Sequence, residues 1–550
     1  MSARPAIRSN RAGPAAVLSA LLALLLWAGA AAAWAEVPAP ARSERLATIR
    51  ERGTLIVGVK TDYPPFGAMA GVDRSEGFEH DLAADIARRL GVGLTKVGVS
   101  ASNRLQKLQD GTVDMVLATT GDTADRRRIV TMVEPNYYAS GVTLFMPPQE
   151  NIRNWSEIRG QTVCAIQGSY FNRTMEERYL LDLQLYGNPR DARLALRDGR
   201  CIGFLFDNTA IVNDLSKPEW AGYKAPLPVA LSTPWAIAIG ADERGTEFER
   251  LLGDIVADWH RSGFLIERER AWKIPASRFL AEMQQTWQRS DDDGRPFCRR
   301  GADGNWIPAC RNKVFLTSGD VDGLTKLGML IHETTGIDLS IVYDSYDRRL
   351  FLSGFAMTLF LTLACVLGSL LVGVVGAVAA DSRSALVAAL ARTGRALGRM
   401  SPPLLTMYLL LFGVSAVLGF ALGAIPVAIG CLSVYTGAGV MTALVEAAAI
   451  HRLQHPGFRL RLTNVQVVAS LASGSVTAAL INVSKATMMA SAVAVPELLS
   501  AATSIVSERG NAGVVMNALL LTFLLLIFCV VRLLRWVERR ILSGERDAPG

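Results

Sequence analysis

The chain has 550 residues, half of them apolar, with 57 lysines and arginines against 50 aspartates and glutamates, a net charge of +7. That length exceeds what one hydrophobic core accommodates, so two or more domains are expected. The apolar residues concentrate in the last third, and the arginines stand in short groups beside apolar runs without interleaved aromatics, which excludes a nucleic-acid footprint.

Residues 1–35 place Arg4, Arg8 and Arg11 ahead of an apolar run that closes on Ala33, Trp34 and Ala35. This is the pattern of a secretory signal peptide, with an uncleaved anchor as the alternative, and either one exports the adjoining domain. Residues 36–275 form the next domain, and from about residue 44 to 275 strand-like and helix-like patterns alternate: GTLIVGVKT, HDLAADIARRLGV, LTKVGVS, NRLQKLQDG, VDMVLATT. Alternation of this kind predicts an α/β domain with mainly parallel sheet, binding its ligand beyond the carboxyl ends of the strands.

Several polar groups fall at such ends. Tyr63 and Phe66 sit on a loop stiffened by Pro64 and Pro65. The stretch ATTGDTADRRR, residues 118–128, follows an apolar strand with hydroxyls, a glycine and three arginines, a set suited to an anion. A solvated turn is the plainer reading of the same residues. A second alternating block begins near residue 155, with a Gly168-Ser169 turn after one strand and Asp207 at the end of another. Arg126 on one lobe and Asp207 on the other would complement a zwitterion. Tyr63 equally suits a core position, and Asp207 a helix N-cap before Asn208. Arg127 and Arg128 read as solvated surface charges.

In order, YPPF, GFEHDLAADIARRLG, LQDGTVDMVLATTGDTADRRR, EPNYY, IRGQTVCAIQGS, GFLFDNTA and STPWAIAIG resemble the periplasmic amino-acid-binding proteins of ABC importers. The resemblance implies a two-lobed periplasmic-binding fold over nearly all of residues 44–275. It implies that Arg126 clamps an α-carboxylate, helped by the Thr119 hydroxyl, the Gly121 backbone and Ser169. Asp207 would hold the α-amino group and Tyr63 would wall the side chain. Asp122 departs from that family's pattern and adds a negative charge beside the carboxylate position.

Cys164 and Cys201 lie in apolar strand-like runs, where buried thiols are the default. Residues 276–350 form a polar connecting segment. Its Cys298 and Cys310 stand in a Gly-rich stretch and suit a local disulfide in an oxidising compartment. No set of metal ligands stands out.

Residues 351–540 read as an all-α membrane domain of five spans, followed by a tail at 541–550. Arginines follow the first span (Arg383, Arg392, Arg395, Arg399), the third (Arg452, Arg459, Arg461) and the fifth (Arg535, Arg539, Arg540). The positive-inside rule then predicts an exported N-terminus and a cytoplasmic C-terminus. The span order, FLSGFAMTLFLTL, RMSP and INVSKATMMASAVAVPELL resemble amino-acid ABC permeases. Glu446, Ala447 and Ala448 match the start of the cytoplasmic loop that docks on the ATPase, on a short helix. That loop's usual glycine is absent, and Gly457 stands several residues later. Lys485, within an apolar stretch, is a candidate for the membrane pathway.

The resemblance implies a fused receptor and permease of an amino-acid importer in a bacterial inner membrane, working as a dimer with a separate ATPase. The chain has no G-x-x-x-x-G-K-[ST] loop, so ATP would be used by the partner and no cofactor is expected here. A membrane-anchored amino-acid sensor or ligand-gated channel is the alternative. An enzyme is disfavoured, since no nucleophile, base and oxyanion set stands out.

Overall fold

The computed structural model describes residues 39–312, 323–335, 337–418, 421–510 and 512–543. The expected signal peptide at 1–35 and most of the 541–550 tail lie outside the described residues.

Strand-length apolar runs build the first lobe from β1 (Thr54–Lys60), the hairpin strands β2 (Asp62–Tyr63), β3 (Gly67–Met69) and β4 (Ser75–Glu76), β5 (Gly93–Val99), β6 (Met115–Leu117) and β7 (Thr131–Met132). The second lobe follows with β8 (Tyr138–Phe145), β9 (Thr162–Ile166), β10 (Asp182–Tyr186), β11 (Phe204–Asp207) and β12 (Ala230–Trp235), before β13 (Ala238–Ile239) returns to the first. The main sheets run β5-β1-β6-β13-β7 and β10-β9-β11-β8-β12. In each, three neighbouring strands are parallel, β1 with β5 and β6 and β9 with β10 and β11, which directs their carboxyl ends to one side.

The chain crosses between lobes twice, and the crossings bond to each other: Val133 N donates to Ile237 O (2.9 Å) and Tyr137 N to Trp235 O (3.0 Å). Helices cover the sheets because their apolar residues recur on one face. In Phe78–Leu90, Phe78, Leu82, Ala83, Ile86 and Ala87 are buried, and Gly91 in the left-handed region (φ 72°) ends the helix.

The expected polar connector folds onto the first lobe. Helix Arg278–Gln288 is followed by a stretch closed by a Cys298–Cys310 disulfide. Trp306 donates to Glu134 O (2.9 Å), and Arg311 pairs with Glu134 (2.7 Å). A second disulfide joins Cys164 to Cys201, where buried thiols were expected. β9 and β11 are neighbours in the sheet, and this brings cysteines 37 residues apart within bonding reach.

Among the described residues, four helices are long and apolar enough to cross a membrane: Ser345–Ala380, Ala424–Gln454, the Val465–Val493 stretch and Ala512–Trp536. The expected second span, residues 404–422, begins within Pro403–Val414, and the helix before it is the arginine-bearing stretch expected after the first span. Ala385–Met400 and Pro403–Val414 meet at 106° and make a fifth candidate only as a bent pair. Pro402 and Pro403 stand at the bend, where proline cannot donate to a preceding turn. The first and third spans pack through small residues: a Cβ on Gly373 would lie 2.5 Å from Val440 Cγ1, and one on Gly437 2.8 Å from Val372.

Helix Leu498–Arg509 joins this bundle to both lobes. Arg509 pairs with Asp344 (2.7 Å) and Asp347 (3.0 Å) at the start of the first span, and with Asp125 (2.6 Å) of the first lobe. From the second lobe, Gln167 donates to Ser500 O (2.9 Å) and Arg173 pairs with Asp344 (3.1 Å).

Candidate functional site

Between the lobes lies a cavity of about 20 Å³, lined by Lys60, Tyr63, Ala101, Arg104, Thr119, Ile166, Ser169, Tyr170, Pro189, Phe206 and Asp207. Most of these follow or end a strand, the place where a parallel sheet leaves backbone groups free to meet a ligand. Lys60 ends β1, Thr119 follows β6, Ser169 follows β9 and Asp207 ends β11. The volume holds about one water molecule, so the protein's own side chains already occupy the cleft centre.

Tyr170 does most of that filling. Its hydroxyl shares its one proton between Asp207 Oδ1 and Ser140 O, each 3.0 Å away, and its ring lies 3.0 Å from where a Cβ on Gly121 would stand. Gly121 therefore serves as the close-approach point between the lobes, with Tyr170 belonging to the second lobe and Gly121 to the first. Asp207 sits at the N-cap position of helix Asn208–Leu215 but makes no side-chain cap bond, so its carboxylate is free to face the cleft. Burial pushes its pKa up to about 6. Tyr63 is 3 % exposed and bonds Thr209 Oγ1 (3.2 Å) while its ring packs beside Phe206.

The cleft-facing guanidinium is Arg104, not Arg126. Arg104 is 2 % exposed, its Nη1 donates to Ala118 O (2.6 Å) and Thr119 O (3.1 Å), and its buried Nε has no partner among the described residues. Arg126 does not line the cavity. It is 2 % exposed and spends its donors on Gly121 O (3.0 Å) and Gly168 O (3.2 Å), linking the two lobes. Burial lowers its pKa to about 9. Phe66 also stands back from the cavity, fully buried against Phe78, Tyr138 and Trp235.

Asp122 carries no charge into the cleft. It pairs with Arg127 (2.5 Å) and accepts from Asn136 (2.8 Å) and Asn312 (3.0 Å). Arg127, expected to be solvated, is thereby held in the interior with Asp122 and Glu134. The helix Ala124–Ile129 has six residues, so consecutive arginines leave it in different directions.

A second polar layer lies under the cavity. Glu79, fully buried, accepts from Thr119 N and the Tyr137 hydroxyl, and burial raises its pKa to about 7. Thr119 holds φ 47°, a left-handed conformation that a β-branched residue rarely adopts, and such strain gathers at binding sites. Lys60, 3 % exposed, pairs with Asp62 (2.5 Å); burial lowers its pKa. Lys60 and Arg104 were missed in the sequence, although one ends a strand and the other follows β5, the same rule that located Asp207.

The membrane-domain candidates lie apart. Glu446 is exposed, but Ala447 and Ala448 are buried within helix Ala424–Gln454, which runs through this stretch without forming a separate short helix. Lys485 is exposed on the last turn of helix Val465–Ala486, where a cation meets the negative end of the helix dipole. Among the described residues, no group of three His, Cys, Asp or Glu side chains could hold a metal ion.

Residues 55–392, more than half of the chain, match the family of bacterial extracellular solute-binding proteins, family 3. The chain is similar to the ABC transporter glutamine-binding protein GlnH of Bacillus subtilis (strain 168), 27% identical over 207 residues, 36% of this chain and 74% of that one. It is also similar to the glutamate/aspartate import solute-binding protein of Escherichia coli (strain K12), 22% identical over 261 residues, 44% of this chain and 84% of that one. Among solved structures, holo ArgBP from T. maritima is 21% identical, covering 41% of this chain and 99% of its own, with a TM-score of 0.37.

Proposed function

Because the chain belongs to the bacterial extracellular solute-binding proteins of family 3, we propose that it is the receptor and permease subunit of an ABC importer for an amino acid. Two of its relatives are named for binding glutamine and for importing glutamate and aspartate, and both are solute-binding proteins. The observation that carries the reading is the cleft itself: Arg104 from the first lobe and Asp207 from the second face one cavity, matching the two charges of an α-amino acid. The lobes rest on helices long enough to span a bilayer, in the same chain. An amino acid released from the cleft would enter a passage formed by two copies of that helical domain. A separate ATPase would power it from the cytoplasmic face, meeting the exposed Glu446.

Uptake of labelled glutamine, glutamate and arginine tests this in cells that express the chain with its cognate ATPase. Glu446→Lys should abolish uptake and leave amino-acid binding intact. Parent-level uptake by that variant would remove the loop from the coupling role.

One observation favours a sensor. Ala447 and Ala448 are buried in a continuous helix and present no separate docking helix to an ATPase. A parent chain that binds an amino acid but supports no uptake would establish that second reading.

A further inference from the structure

At the end of the first span remote from the binding lobes, a groove of about 550 Å³ opens between Val375–Arg383 and residues 459–462. Three of its lining side chains are Arg383, Arg459 and Arg461, all exposed, and among the described residues none of the three guanidiniums has an acidic or hydrogen-bonding partner. The groove has one acid, Asp381, and it is already engaged: it pairs with Arg452 (2.7 Å) and accepts from Leu460 N (2.6 Å). The site therefore has three uncompensated positive charges around a space large enough for a phosphate-bearing group.

The surface adjoining those charges identifies the occupant. Leu363, Leu367, Leu371 and Val375 succeed one another at four-residue steps along helix Ser345–Ala380 and are 54%, 59%, 66% and 50% exposed. Residues at that spacing share one face, so they form an aliphatic ridge on the outside of a helix long enough to cross a bilayer. The ridge ends at Val375, which is itself part of the groove wall. Leu462, 64% exposed, continues the apolar rim opposite. A soluble protein partner has no use for an aliphatic track leading away into the hydrocarbon layer, whereas a lipid has an anionic headgroup at one end and acyl chains at the other.

We infer that this groove binds an anionic phospholipid, its headgroup held by Arg383, Arg459 and Arg461 and an acyl chain laid along Val375 and Leu371. The lipid would tie the end of the first span to the segment after Gly457. This site is independent of the ligand that the exported lobes bind.

The test uses the full chain, purified in non-ionic detergent, titrated with tail-labelled phosphatidylglycerol and with tail-labelled phosphatidylcholine as the neutral control. Phosphatidylglycerol should bind more tightly by a factor on the order of 100, as three arginines near a lipid headgroup imply. The triple variant Arg383→Gln, Arg459→Gln, Arg461→Gln should bring the two lipids to equal affinity, and the corresponding triple lysine variant should keep most of the preference. Val375→Trp, which fills the apolar wall and leaves the charges, should weaken both lipids. Soluble glycerophosphate at millimolar concentration should not displace the labelled lipid. Equal binding of the two lipids to the parent chain overturns the inference. So does displacement by glycerophosphate, which would make this a site for free anions. It also falls if the glutamine triple variant keeps the lipid preference but loses an ATPase that the parent retains, since the groove would then be a protein-docking surface.

Discussion

Replacing Gly121 with alanine is expected to hold the two lobes apart. The added Cβ would lie 3.0 Å from both Cγ and Cδ1 of Tyr170 and 3.3 Å from Thr233 Cγ2, whereas carbon atoms prefer a separation of roughly 3.5–4.0 Å. The ring cannot swing aside without losing its bonds to Asp207 and Ser140, each 3.0 Å. Gly121 does not hold a positive φ, so alanine meets no backbone strain and the contact is the whole effect. Overpacking of this kind destabilises by about 1–3 kcal/mol. Because Gly121 stands on the first lobe and Tyr170 on the second, that energy opposes the approach of the two lobes, and amino-acid affinity should drop about 5- to 150-fold. Calorimetric titration of the full chain with glutamine, glutamate and arginine measures it, using whichever binds the parent. In a Tyr170→Ala background the same alanine should change affinity by less than about twofold, since a real contact shows up as coupling in the double-mutant cycle. An equal loss in both backgrounds would refute the steric argument, as would a Gly121→Ala chain with the parent's affinity.

Arg509→Met should lower the melting midpoint of the full chain, because it strands Asp344 and the 1 % exposed Asp347 without their main cation. The loss should be about 3–5 kcal/mol, with faster amide exchange in Leu498–Arg509. Asp207 must be ionised to hold an ammonium, and burial sets its pKa at about 6. Affinity should therefore weaken by up to about tenfold per pH unit as pH falls below 6 and level off above 7. The slope should persist in Glu79→Gln, which removes the neighbouring carboxyl with pKa about 7; loss of the slope there would assign it to Glu79. Replacing both Cys164 and Cys201 with serine opens a 37-residue loop. On the chain-entropy account this destabilises the domain by about 3–4 kcal/mol, readable as a lower midpoint in thermal or denaturant unfolding.

The local pattern was enough for the architecture of the two-lobed part. Runs such as TLIVGVK and MVL are apolar at strand length, FEHDLAADIARRL repeats its apolar residues at helical spacing, and both properties belong to neighbouring residues alone. It also put Tyr63, Thr119, Ser169 and Asp207 at strand ends, and such ends converge in a parallel sheet, where all four line one cavity. Cys298 and Cys310 are close enough in the chain to be paired without a fold.

Other features depend on distance in space. Arg104 and Arg126 are both arginines near strand ends; only the packing of two short helices turns the first into the cleft and the second onto Gly121 O and Gly168 O. Asp122 reads as an intruding charge as long as Arg127 is placed in solvent, and their pairing exists only in the folded lobe. Cys164 meets Cys201 because β9 and β11 are neighbours, a fact of strand order and not of spacing. Pro402 and Pro403 mark a break before the expected second span in the sequence, but the 106° angle between Ala385–Met400 and Pro403–Val414 is given only by the folded chain. Helix Leu498–Arg509 reads as an ordinary short helix. Tertiary structure alone gives Arg509 three carboxylates, from the first lobe and from the first span, because charges far apart in sequence share one buried junction only after the chain has folded.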